Sequence, residues 1–136
     1  GNFQFHMDGV DYEYLDWSKE DEVKQLQGMD IGVYPLPTDA WVMGKSGLKA
    51  LTYMTFALPV VATNVGTAIN RVVAENENGF LVKTDEEWME KLKYLIDNPS
   101  ERERMGKNAR QTVLDNFSTE VVKNQYLTVL NSTLGR

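Results

Sequence analysis

The chain has 136 residues, 42% hydrophobic and 25% charged, with a formal net charge of −6. This is core material for one ordinary globular domain, without the clustered basic face that a nucleic-acid or anionic-membrane surface requires. The absence of cysteine excludes disulfides, thiolate metal sites and cysteine nucleophiles, and fits a reducing, cytoplasmic setting.

Near the N-terminus, Phe3, Phe5 and Met7 alternate with polar residues, as do Val10, Tyr12 and Tyr14. Both stretches are strand-like, with Asp8-Gly9 as the turn between them. Ser18 opens a helix whose first turn is acidic and whose narrow apolar face is Val23, Leu26 and Met29. Asp30 to Pro37 reads as a short buried strand stopped by two prolines. A loop, Thr38 to Ser46, leads to a helix from about Gly47 to Leu58 that is apolar on more than one side. Pro59 to Thr63 is a compact β-branched run of the kind buried in parallel sheets. A turn at Asn64-Val65-Gly66-Thr67, a short helix over Ile69 to Ala74, and the strand Phe80-Leu81-Val82 follow.

The remainder is helical. Thr84-Asp85-Glu86-Glu87 is a capping box, and Trp88, Leu92, Leu95 and Ile96 fall on one helical face. Asn98-Pro99 closes that helix and opens the next, with Asn98 as cap. Ser118 starts the last helix, whose face is Val122, Tyr126, Val129 and Leu130. No apolar run approaches the ~20 residues of a membrane-spanning helix, and no signal peptide is visible. Alternation of strands and helices predicts an α/β fold, a Rossmann-like parallel sheet of four or five strands with helices on both faces and C-terminal helices beyond.

Ligands of such sheets bind beyond the carboxyl ends of the strands, which points to the loop after Leu36. This loop runs into a helix N-terminus, where free backbone N–H groups and the helix dipole favour an anion. Lys45 and Lys49 lie there, although a cation at a helix N-terminus costs a few tenths to about 1 kcal/mol. A bound phosphate or diphosphate explains the two lysines; solvated side chains, or pairing with acids such as Asp39, explain them equally well. Gly44-Lys45-Ser46 is not a Walker loop, because Asp39 stands where the first glycine belongs, and no dinucleotide fingerprint occurs. His6, the only histidine, reads as structural or solvent-facing rather than catalytic. The acids form no evident metal cluster, which also disfavours a receiver-like signalling domain. Trp88 is periodic and reads as core. Trp41 packs on a ligand or on the helix end, and Trp17 contacts a nucleobase or, more simply, packs.

Asp30-Ile-Gly-Val-Tyr-Pro-Leu-Pro, Gly44-Lys-Ser-Gly-Leu-Lys-Ala-Leu-Thr-Tyr-Met, Pro59-Val-Val-Ala-Thr-Asn-Val-Gly and Asn78-Gly-Phe-Leu-Val, in this order and spacing, carry a resemblance. Together with Arg104 to Arg110 and Phe117-Ser118, they resemble the C-terminal domain of group-1 (family 4) retaining glycosyltransferases, over about Leu15 to Tyr126. The resemblance implies that residues 1–136 are a single nucleotide-sugar-binding domain, truncated on its N-terminal side, and one half of a two-domain enzyme. The acceptor-binding N-terminal domain would lie outside the chain. The reaction implied is transfer of a glycosyl group, with retention, from a nucleoside diphosphate sugar to a glycan or lipid-linked acceptor, as in polysaccharide biosynthesis. The isolated fragment is expected to be inactive. The donor is a substrate; no cofactor and no metal is implied, because helix dipoles and basic residues offset the diphosphate charge. The expected partners are the nucleotide sugar and the acceptor domain, with no nucleic acid, no transmembrane segment, and peripheral membrane association only through the parent protein.

Carried onto this sequence, the diphosphate-binding residues are Lys45, Ser46, Gly47, Leu48 and Lys49, with Thr52 at the ribose position and Trp41 and Gly44 as further ligand contacts. Two glutamates of the family pattern, one near the sugar and one on the ribose, fall on Gly44 and Thr52, so both carboxylates are lost and no catalytic residue is assigned. That loss favours an alternative: a non-catalytic Rossmann-like module for a phosphorylated ligand or a protein partner.

Overall fold

The computed structural model describes residues 8–37, 45–66 and 68–135. Along the chain they form α1 (Glu22–Gln27), β1 (Gly32–Tyr34), α2 (Leu48–Thr55), β2 (Val60–Thr63), α3 (Ile69–Val72), β3 (Gly79–Val82), α4 (Asp85–Asp97), α5 (Pro99–Asn116) and α6 (Thr119–Thr133). The strands make one parallel sheet in the order β1-β2-β3, with Val60 beside Gly32 on one side and Gly79 on the other. The described residues thus hold three strands, not the four or five expected. Residues 10–14 alternate as a strand would but join no strand of the sheet and are exposed; an alternating pattern specifies a face, not a partner.

All four residues of β2 are buried, which the β-branched run predicts. Val60 and Ala62 face one layer, with Ala50 and Met54 of α2, Ile69 and Val72 of α3, and Ala109 of α5. Val61 faces the other layer, with Phe80 and Val82 of β3, Leu95 of α4 and Met105 of α5. Helices therefore cover both faces, as the alternating elements predict. Trp88 and Leu92 pack half-buried against the second cluster, as their periodicity implies.

Helix α5 serves both layers because it comes very close to the end of α2. A Cβ on Gly106 would stand 2.0 Å from the carbonyl oxygen of Ala57, so only glycine fits. Arg110 of the same helix bonds the carbonyl of Thr55. Farther along, Arg104 and Asn108 donate to the carbonyls of Asn76 and Glu77, at 2.9 and 3.0 Å. The turn before β3 is thereby tied to α5.

Helix ends follow local chemistry, with two corrections. Thr84 Oγ1 accepts from Glu87 N at 3.3 Å, as a capping box requires. Ser118 Oγ accepts from Val121 N. Asn98 closes α4 and stands at the N-cap of α5 with Pro99 next, as expected, but its side chain makes no capping bond there and instead donates to the carbonyl of Tyr94 at 2.8 Å. Likewise α1 begins at Glu22 rather than Ser18, because Ser18 closes a tight turn on Asp21 first. On α6 the expected face holds Val122 half-buried, while Tyr126, Val129 and Leu130 are exposed.

Replacing Gly106 with alanine should lower the unfolding free energy by about 1–3 kcal/mol, since the new methyl must push two backbones apart. Urea midpoints of the two proteins measure it, and equal midpoints would show that the close approach is not rigid.

Candidate functional site

The carboxyl ends of β1 and β2 are joined at one point. Thr63 Oγ1, at the end of β2, accepts from Leu36 N at 2.8 Å, fixing the direction in which the chain leaves β1. The loop after β2 is held too: Asn64 N donates to Val82 O at 2.7 Å, and Asn70 Nδ2 donates to Asn64 Oδ1 at 3.2 Å. Gly66 in that loop has φ +80°, a value glycine adopts at no cost.

Helix α2 starts at this end. Its N-cap is Gly47, buried, with φ +74°. A Cβ there would lie 3.6 Å from Val72 and 3.8 Å from Ile69, so α3 supports the cap from below. Glycine offers no side-chain acceptor to the first-turn amides, and the first turn contains no acid. Serine, threonine and aspartate are the residues that normally satisfy such amides. The first turn instead carries Lys49, exposed, and is preceded by half-buried Lys45 and exposed Ser46. Leu48 is 68% exposed at the first helical position. Backbone donors, dipole and basic side chains thus converge where a sheet of this class binds ligands. Trp41, Gly44 and Asp39 lie outside the described residues, as does His6.

Lys49 also belongs to a second surface. A cleft of about 280 Å³ lies between α1, α2 and the segment before α1; Trp17, Glu13, Glu22, Lys49, Thr52 and Tyr53 are among its lining residues. Lys49, Thr52 and Tyr53 stand at i, i+3 and i+4 on one face of α2, while Ala50 and Met54 face the core. The helix therefore brings Thr52, expected at the ribose, beside Lys49 and Trp17. Trp17 is 71% exposed. The packing role proposed for it from sequence is not what the structure shows. Thr52 Oγ1 donates to Leu48 O at 3.0 Å, so its proton is committed to the helix and only its lone pairs remain for a ligand.

Sequence reading missed Glu13, Glu22 and Tyr53. The helical spacing of Tyr53 from Lys49 was a usable signal; nothing local marks the two glutamates, which reach the cleft only through the fold. Tyr53 is placed by Gly32 of β1, where a Cβ would come within 2.5 Å of the Tyr53 ring. Burial, and then the neighbouring phenol of Tyr34, raise the Tyr53 pKa above the usual tyrosine value. Roomier hollows lie elsewhere. One of about 470 Å³ runs along α6 past Val122 and Tyr126. Another, about 390 Å³, is at the amino ends of the strands beside Pro59 and the Arg102–Asp30 ion pair, 3.4 Å long. Among the described residues, no group of three or more His, Cys, Asp and Glu is arranged to hold a metal ion, and no helix is long and apolar enough to cross a membrane.

A parallel sheet with helices packed on both faces and a glycine-capped, lysine-flanked helix at its carboxyl end defines a Rossmann-like α/β domain. The family model for glycosyl transferases group 1 matches residues 12–112, and the chain belongs to that family. It is similar to the trehalose synthase of Thermococcus litoralis, 35% identical over 86 residues, which are 63% of this chain and 21% of that protein. It is also similar to a capsular polysaccharide biosynthesis glycosyltransferase of Staphylococcus aureus, 31% identical over 107 residues, 77% of this chain and 27% of that protein. Among solved structures, the C-terminal domain of a glycosyl transferase group 1 family protein from Francisella tularensis superposes with a TM-score of 0.63. That match has 23% identity and covers 78% of this chain and 53% of that one, and it bears out the fold. The chain spans about a fifth to a quarter of the length of these curated relatives.

A raised tyrosine pKa means the native state favours the neutral phenol. Its stabilising contribution is complete below the unfolded value of about 10 and is lost as pH rises through the native value. The stability difference between the parent chain and Tyr53→Phe should therefore shift against the parent between about pH 9 and 12. Urea titrations across that range check it; a constant difference would place Tyr53 in a solvent-like setting.

Proposed function

We propose that this chain is the donor-binding part of a retaining glycosyltransferase, and that the nucleoside diphosphate of the donor sits across α2. The observation that carries this reading is the N-terminus of α2: a left-handed glycine cap, no first-turn acid, and two lysines at the carboxyl end of a parallel sheet. The diphosphate accepts from the first-turn amides, with Lys45 and Lys49 offsetting its charge. The nucleoside then extends down the outer face of α2 into the cleft, its base on exposed Trp17 and its ribose near Thr52. Glu13 and Glu22 supply carboxylates for the ribose hydroxyls in place of the one lacking at Thr52. Transfer breaks the bond between the anomeric carbon and the diphosphate oxygen and joins the same face of that carbon to an acceptor hydroxyl oxygen, whose proton passes to the departing diphosphate oxygen. The cradle favours this step because charge accumulates on the departing diphosphate. The acceptor, a glycan or lipid-linked chain, is bound by a domain outside these 136 residues.

One observation favours the second reading, a non-catalytic module for a phosphorylated ligand: glycine and threonine stand at both family carboxylate positions, and the Thr52 proton is spent on Leu48. Both readings keep the anion site, so binding is measured before turnover. Calorimetric titration of the chain with UDP, GDP and ADP at low salt should show one diphosphate binding well above its nucleoside. Lys45→Ala/Lys49→Ala should weaken that binding by about tenfold or more with the fold intact. Unchanged affinity in the double variant would remove the diphosphate from α2. Diphosphate binding without glycosyl transfer by the full-length parent protein would select the second reading.

A further inference from the structure

The outer edge of β3 is unusually well occupied. Phe80 and Val82 face the second core layer, and β2 pairs along the inner side of the strand. In the parallel register, Val60 N donates to Asn78 O and Asn64 N to Val82 O, so the groups of Gly79, Leu81 and Lys83 point away from β2. An edge of this kind, carrying Gly-Phe-Leu-Val, is a template for a strand from another molecule.

Each position along it is nevertheless taken. Asn76 N donates to Gly79 O at 3.1 Å, and Glu75 forms a parallel bridge beside Gly79. Leu81 N donates to Glu75 Oε2 at 2.9 Å. Lys83 N donates to Glu87 Oε2 at 2.6 Å. In the capping box of α4 the glutamate arm has thus moved one residue outward, from the cap to the strand end. The two carboxylates come from different elements and meet successive outward amides of one strand. Glu90 and Lys91 of α4 line the same shallow hollow, where Lys91 pairs with Glu90 at 2.9 Å and lies 5.1 Å from the centre of the Phe80 ring; neither bonds the edge.

We infer that Glu75 and Glu87 close the β3 edge, and that removing both carboxylates turns this edge into a pairing surface for the same edge of a second copy. The closure works twice. The carboxylates satisfy the amides that a foreign strand would seek, and their charges, offset in part by nearby Lys91, would meet the same pair on a second copy.

The test compares the parent chain with Glu75→Ala/Glu87→Ala, using Glu90→Ala as a control that removes a neighbouring charge but no edge contact. At low protein concentration, amide hydrogen exchange at Leu81 and Lys83 should accelerate about tenfold or more in the double variant only. Sedimentation over rising concentration should then show a dimer absent from the parent and from Glu90→Ala. Unchanged exchange at the two amides, or a monomer at every concentration, overturns the inference. If the double variant does not fold, each single alanine variant is read at its own amide, Leu81 for Glu75 and Lys83 for Glu87. Faster exchange confined to that amide supports closure; unchanged exchange overturns it.

Discussion

The fold depends on the complete burial of β2. A parallel strand with no exposed face must be covered twice, and its four residues divide the helices into two layers. From that constraint follow the two clusters, the crossing of α5 beneath both, and the glycine at 106 that admits it. It also sets where ligands can approach. With both faces of β2 closed, ligands must approach at the strand ends, and at the carboxyl end Thr63 holds the chain leaving β1.

Helix α2 reconciles two demands at that end. Its inner residues, Ala50 and Met54, are fully buried and belong to the core. Its outer residues, Lys49, Thr52 and Tyr53, belong to the cleft. Its first turn gives up the usual side-chain cap for a glycine packed beside α3. A helix built for stability alone would begin with serine or aspartate. This one begins with no side-chain cap and with cations near its donors, a local cost that the proposed anion would offset.

How much of this was legible varied with the range of the interaction. The Val60 to Ala62 run, the capping threonine at 84, and the alternation of elements are local patterns, and they gave the layers and the family. The lysines around α2 were legible as a candidate anion site because strand ends and helix starts can be placed from sequence. Asn98 was placed correctly at the junction of α4 and α5, but its amide can serve either helix end, and only the backbone decides which group is in reach. The stretch from Val10 to Tyr14 alternates without a partner strand among the described residues. Glu13, Glu22 and Trp17 join Thr52 only after α1 docks beside α2, a juxtaposition no spacing encodes. The close approach of Gly106 to Ala57 is equally invisible, since it joins residues about fifty positions apart.

The turn before β3 has a chemical consequence as well as a structural one. Asn78 is buried; its side-chain oxygen accepts from Ala74 N at 2.8 Å, and its nitrogen donates to Val72 O and Thr112 Oγ1, each at 3.2 Å. It is followed by glycine, whose unhindered backbone nitrogen makes Asn-Gly the pair most prone to cyclise to a succinimide and deamidate. A carboxamide held at both ends cannot swing onto that nitrogen, so the folded chain protects its own weakest bond. Ageing at this position is therefore gated by opening of the turn: its rate follows how often Val72, Ala74 and Thr112 release Asn78, rather than the intrinsic rate of the dipeptide.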